Sequence, residues 1–130
     1  MLVRGVRGAT TVESNTREAI LDAAGELLTA IVEANQLPHE HVASILFSTT
    51  ADLNAEFPAV AARNLGWTDV ALECVHEMNV PGSLPMCLRI LMHVNTDKSA
   101  AEIQHQYLRG ARVLRPDLSQ PAVKQEGALA

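Results

Sequence analysis

Met86-Cys87-Leu88-Arg89-Ile90-Leu91-Met92-His93-Val94 is the most informative run of the chain. Leu88, Ile90, Met92 and Val94 alternate, which is the period of a β-strand with one buried face. That face needs a helix to pack on it. The opposite face carries Cys87, Arg89, Leu91, His93 and Asn95. It is too mixed for ordinary solvent surface and too apolar in places to be left bare. Arg89 is its sharpest feature, because a guanidinium is almost never fully buried without a partner. No carboxylate lies near it in sequence, so the partner comes from elsewhere in the protein or from a ligand. Arg7 has a similar setting in Leu2-Val3-Arg4-Gly5-Val6-Arg7-Gly8-Ala9. Two strand arginines point to a site for a small, multiply anionic molecule.

Working outward, residues 2 to 12 read as a strand in which Gly5 and Gly8 allow a bend or a close approach. Arg4 and Arg7 are an odd number of positions apart and so face opposite ways. Residues 16 to 35 read as a helix capped by Asn15 or Thr16, with Glu18 in the favourable first turn. Its apolar stripe is Ile20, Ala23, Ala24, Leu27, Ile31 and Ala34. Asn35 and Pro38 end it. Residues 42 to 50 form a buried strand and Ala51 to Asn54 a turn. Phe57-Pro58 opens a short helix that Gly66 closes. Residues 69 to 79 are extended, Asp97 to Gln104 contain a helical turn, and Gln106 to Leu108 are extended again. From Pro116 onward Ser, Gln, Pro, Gly and Ala dominate, and 119–130 read as a flexible tail. This order predicts one α+β domain over 1–118, a mixed sheet with one long helix covering one face. An oligomer that buries the other face is the economical solution.

The 130 residues favour a single compact domain. Aromatics make up only 3%, so the core is built from Val, Ile, Leu, Ala and Met. A net charge of −5 without a basic stripe argues against nucleic acid as a partner. No apolar run is long enough to span a membrane, and Arg4 and Arg7 interrupt any signal-peptide pattern. Cys74 and Cys87 make no disulfide framework, which fits a reduced cytoplasmic setting. Eight arginines against two lysines suit carboxylate recognition, but base composition in a GC-rich genome explains that total as well.

The five histidines show no metal-site spacing, and no serine-nucleophile or phosphate-cradling glycine motif is present. Cys74, with His76 two residues on, reads better as a small packing or hydrogen-bonding group than as a nucleophile. Glu77 stands out in Cys74-Val75-His76-Glu77-Met78 as an acid between apolar positions. A rim glutamate paired with an arginine explains it equally well. Tyr107 is the only tyrosine. Positive donors, one carboxylate and a hydroxyl, without nucleophile or metal, suit binding a dianion and stabilising charge within it. They do not suit hydrolysis.

Seven segments in register carry a resemblance. They are Val3 to Glu13, Ala51-Asp52-Leu53 with Phe57-Pro58-Ala59, Cys74 to Met78, Cys87 to Ile90, Asn95-Thr96-Asp97, Tyr107-Leu108, and Leu114-Arg115-Pro116-Asp117-Leu118. Over residues 3 to 118 the chain resembles the monofunctional chorismate mutases of the AroH type. The resemblance implies a homotrimer with a pseudo-α/β-barrel core, active sites between subunits, and cofactor-free conversion of chorismate to prephenate in aromatic amino-acid biosynthesis. By the same likeness, Arg89 donates to the ether oxygen and a substrate carboxylate. Arg7 and Tyr107 bind carboxylate, and Glu77 accepts from the ring hydroxyl. Cys74 sits beside that hydroxyl. Phe57 and Arg63 line the pocket mouth, and Arg115 lies near the closing C-terminal segment.

Two positions depart from the pattern. Val60 stands where some members carry a basic residue. Glu73, counted with the substrate-binding positions, adds an acid beside an anion site and opposes binding unless it turns outward or finds an arginine. Cys74 and Glu77 are three apart, so a regular strand sends them to opposite faces. Either the segment bends or the two serve different sites across an interface; the interface is the preferred reading. The competing class is a non-catalytic trimeric sensor of carboxylate metabolites, which has no use for a carboxylate facing its ligand.

Overall fold

The computed structural model describes residues 1–114. The tail expected over 119–130, and Arg115, lie outside them. Five strands, β1 (Leu2–Thr11), β2 (Val42–Thr49), β3 (Ala71–His76), β4 (Cys87–Thr96) and β5 (Gln106–Tyr107), form one sheet in the order β3-β2-β4-β1-β5. The sheet is mixed. β4 runs antiparallel to both β1 and β2, while β2–β3 and β1–β5 are parallel pairs. The Arg89 strand is therefore central, hydrogen-bonded on both edges.

Helix α1 (Arg17–Asn35) covers one face. Thr16 caps it, its hydroxyl accepting from the Ala19 N–H at 3.2 Å. Gln36 closes it in the left-handed conformation, φ 51°. Ile20, Ala23, Ala24, Leu27, Leu28 and Ile31 are buried against Val6, Ile45, Phe47, Leu88, Ile90, Met92 and Val94. The predicted packing of the Leu88–Val94 face on the helix is what the structure has. Gly8 permits the approach: a Cβ there would lie 2.8 Å from Ile31 Cδ1 and 2.9 Å from Leu27 Cδ1.

One member of the predicted stripe is misplaced. Ala34 is exposed, and the stripe continues instead through Asn35, fully buried four residues after Ile31. An amide can occupy that core position because all its demands are met. Asn35 Nδ2 donates to the carbonyls of Ile31 and Gln104, both at 2.9 Å, and Oδ1 accepts from the Gln104 N–H at 2.7 Å. The helix end is thereby tied to the segment that leads into β5.

Helix α2 (Ala59–Asn64) follows Pro58 and ends before Gly66, whose φ of 96° favours glycine. The helical turn expected near 100 is a 3₁₀ turn over Ala100–Glu102, closed by a reciprocal Ser99–Glu102 capping box. Among the described residues the sheet's second face has no helix. Only one corner is covered, where a 3₁₀ stretch over Arg109–Leu114 brings Ala111 onto Ala9, Cys87 and Tyr107.

Candidate active site

Register places the site residues. Arg89 on β4 lies opposite Ser48 on β2 and Ala9 on β1, and Ala9 in turn lies opposite Tyr107 on β5. Side chains at paired positions share a face, so Arg89, Ala9 and Tyr107 form a row across the helix-free side of the sheet. Ala9 is the small residue between the two large ones. Arg7, two positions along β1, is the diagonal neighbour of Arg89 on the same face. Arg4 points the other way, its Nε donating to the Lys98 carbonyl at 3.1 Å. The two strand arginines separate as alternation requires, and only Arg7 joins Arg89.

Glu77 completes the row. β3 stops at His76, and the Glu77 N–H then donates to the Thr49 carbonyl at 2.7 Å. This swings the Glu77 carboxylate over to Arg89, with Oε2 2.7 Å from Arg89 Nε. The distance makes this an ion pair. The Nε–H does not point along it, so this buried donor atom has a charge partner and no hydrogen-bond acceptor. The remainder of the Arg89 side chain is 38% exposed. An aligned acceptor for that donor is what a bound anionic oxygen would supply. Among the described residues no carboxylate pairs with Arg7.

Phe57, Arg63 and Cys74 gather elsewhere. Cys74 lies opposite Phe47, a core residue, and so on the helix side of the edge strand β3. It lines a cleft of about 330 Å³ together with Phe57, Pro58, Thr49, Val75 and His76. Phe57 is 66% exposed at its mouth. Burial pushes the Cys74 thiol up, and neighbouring Glu73 adds to that; a hydrogen bond with the Ala59 backbone and the charge of Arg63 on α2 pull it partly back. Cys74 is thus a thiol at neutral pH, a hydrogen-bonding group and not a nucleophile. Burial likewise raises Cys87, against the pull of Arg89. Glu73 is exposed beside Cys74, its register position opposite Leu46, and makes no ion pair among the described residues. Through Leu46 and Leu91 it stands on the same sheet face as the Arg89 row, so it adds an acid to that face.

One chain therefore assembles two groups on opposite sides of its sheet. Arg7, Glu77, Arg89 and Tyr107 form one, while Phe57, Arg63 and Cys74 form the other. None of the first group lines the Cys74 cleft. His76 and Thr49, which do line it, were not legible as site residues: they come together because β3 runs parallel to β2, 27 residues away in sequence. Among the described residues no three His, Cys, Asp or Glu side chains converge to hold a metal.

The model of the family described as chorismate mutase type I matches residues 3–118. The chain belongs to the type I chorismate mutases. It is 49% identical over 120 residues to the chorismate mutase AroH of Bacillus subtilis (strain 168), covering 92% of this chain and 94% of that one. It is 48% identical over 118 residues to the chorismate mutase AroH of Thermus thermophilus, covering 90% and 97%. Its fold is similar to a solved chorismate mutase from Clostridium thermocellum, with TM-score 0.84 and 51% identity, over 85% of this chain and 99% of that one.

Proposed function

We propose that this chain is a chorismate mutase, rearranging chorismate to prephenate in aromatic amino-acid biosynthesis, as a homotrimer whose active sites lie between subunits. The family match and the two AroH relatives support the activity. The single structural observation that carries the site is the Glu77–Arg89 pair on the uncovered sheet face.

The reaction is an intramolecular Claisen rearrangement. The ether C–O bond breaks while a C–C bond forms, within one molecule, so no atom enters or leaves. Negative charge develops on the ether oxygen and positive charge on the ring. Arg89 meets the first with a planar, always-charged donor. Glu77 meets the second and accepts from the ring hydroxyl. Arg7 and Tyr107, in the same row, take a side-chain or ring carboxylate and hold the flexible enolpyruvyl group over the ring. Without substrate, Glu77 and Arg89 pair as ions, with the Arg89 Nε–H left without an aligned acceptor. When substrate enters, each exchanges that partner for a substrate group, and the misaligned Nε–H gains an acceptor.

Trimer formation is supported by the same geometry. The helix-free face combines Leu46, Leu91 and Val75 with the charged row, and Cys74, Phe57 and Arg63 lie on the reverse side. A neighbouring subunit's Cys74 cleft closing over this chain's Arg89 row joins the two halves and buries the bare face. A pseudo-barrel of three sheets follows from that arrangement. Residues 1–118 form the catalytic domain in this reading, and the site is cytoplasmic and cofactor-free. A non-catalytic carboxylate sensor finds no support, since the relatives carry the enzyme's name.

The test is direct. Purified full-length protein added to chorismate should abolish the substrate's ultraviolet absorbance and yield prephenate. Chorismate left intact by a folded trimer ends this reading.

A further inference from the structure

The turn after β2 does more than reverse the chain. Thr50 Oγ1 accepts from the Cys87 N–H at 3.0 Å and donates to Asp52 Oδ1. Asp52 Oδ2 accepts from the Met86 N–H at 3.0 Å. The Thr50 N–H donates to the Cys87 carbonyl, and the Val12 N–H to the Met86 carbonyl, at 3.0 and 2.8 Å. Every backbone polar group of Met86 and Cys87 is thus held, just where β4 begins. The restraint has work to do, because Met86 stands at φ 52°. A residue with a Cβ disfavours that left-handed region, and in the free chain it would leave it. One residue earlier in the turn, the Thr49 carbonyl receives the Glu77 N–H. The stretch from Thr49 to Asp52 therefore grips the backbone of Glu77 with one end and the start of the Arg89 strand with the other.

We infer that Asp52 and Thr50 are positioning residues for the site, a clamp that fixes where Arg89 stands relative to Glu77 by holding Met86 in its left-handed conformation. The inference rests on the proposed roles of Arg89 and Glu77 and goes beyond them, since it assigns the spacing of the pair to a carboxylate and a hydroxyl outside it. Misplacing an electrostatic group by a fraction of an ångström to one ångström weakens transition-state stabilisation more than ground-state binding.

Full-length Asp52→Ala and Thr50→Val test this, with circular dichroism and light scattering to select folded, assembled protein. The expected result is a kcat lowered about tenfold to hundredfold with KM changed about twofold or less. Adding Met86→Gly to Asp52→Ala should restore most of kcat relative to Met86→Gly alone, because glycine adopts a positive φ without the penalty a Cβ carries and leaves the clamp less to hold. A merely structural turn would lower the melting temperature and leave the kcat of the folded fraction unchanged; that outcome overturns the inference. If Asp52→Ala does not fold, Thr50→Val decides alone. If the wild type itself lacks turnover, the function reading fails separately. The clamp is then judged by amide exchange: faster exchange at Met86 and Cys87 in Asp52→Ala supports it, and unchanged exchange overturns it.

Discussion

Arg89 is the residue on which the most depends. It sits in a central strand, its Nε buried, with Glu77 as its only ionic partner among the described residues. If its guanidinium meets charge formed mainly in the transition state, Arg89→Met should lower kcat more than it raises KM. Loss of one preorganised donor costs about 3–4 kcal/mol, or about 10²–10³ in rate. Arg89→Lys should rescue poorly, because a point charge on a flexible stem does not reproduce the fork. A folded, assembled Arg89→Met protein with near-normal kcat would remove the catalytic assignment. Much of this was legible in the sequence, for a definite reason. Alternation places Arg89 on the face opposite Leu88 and Ile90, and a guanidinium among Cys87 and Leu91 there calls for a partner. A glutamate paired with an arginine was one of the two readings of Glu77, but which arginine was not legible: only the end of β3 at His76, with the Glu77 N–H donating to the Thr49 carbonyl, turns it toward Arg89.

At the scale of elements, the strands and α1 came from periodicity, and the errors came where long-range contacts overrule it. Asn35 shows this well. Composition assigns it to a helix end and gives its neighbour Ala34 to the core, yet Asn35 is the buried residue. Its amide is satisfied by Gln104, 69 positions away, which no local window contains. The Thr50–Asp52 clamp is hidden for the same reason, since a Thr-Ala-Asp turn looks complete by itself. Gly5 and Gly8 read as allowing a bend or a close approach, and at Gly8 the packing shows the close approach and gives it a magnitude. A Cβ 2.8 Å from Ile31 Cδ1 and 2.9 Å from Leu27 Cδ1, with the Gln106 carbonyl at 3.2 Å, forces those side-chain ends or the adjoining backbone to shift. Gly8→Ala should destabilise the fold by about 1–3 kcal/mol, and Gly8→Val by more. Urea unfolding would check it; unchanged midpoints would mean that the helix is not seated as described.

Asp52 makes an element-scale prediction of a different kind. The Thr50 hydroxyl and the Met86 N–H hold its carboxyl below the ordinary 3.8, against a smaller opposing effect of desolvation. A depressed folded value means that ionised Asp52 stabilises the fold. The contribution is fully present above the unfolded pKa and is lost as pH falls through the folded one. Asp52→Asn should therefore be less stable than the wild type at neutral pH, and the difference should close below about pH 3.8. Unfolding midpoints measured across that range would show it. A difference that stays constant with pH would mean that the charge of Asp52 contributes nothing to the turn.

For the whole molecule, the decisive fact is that one chain holds two incomplete groups on opposite sides of a five-stranded sheet. Neither half has the composition of a full site. The Arg89 row has cations and a carboxylate but no wall, and the Cys74 cleft has a wall and Arg63 but no counterpart for a breaking ether bond. Sequence spacing hinted at this, since Cys74 and Glu77 are three apart on one segment and cannot face one way. If neighbouring subunits join the halves, damage to one half can be complemented by damage to the other. Arg89→Met and Arg63→Met, each impaired as a homotrimer, should recover activity when unfolded together and reassembled as mixed trimers. A site is intact only when its Arg89 half comes from an Arg63→Met subunit and its cleft half from an Arg89→Met subunit. With random equal mixing that holds for about one site in four, so activity should approach about a quarter of the wild-type value per site. Co-refolded mixtures no more active than the average of the two parents, although mixed trimers are demonstrated by mass, would show that each subunit works alone and that the halves do not meet.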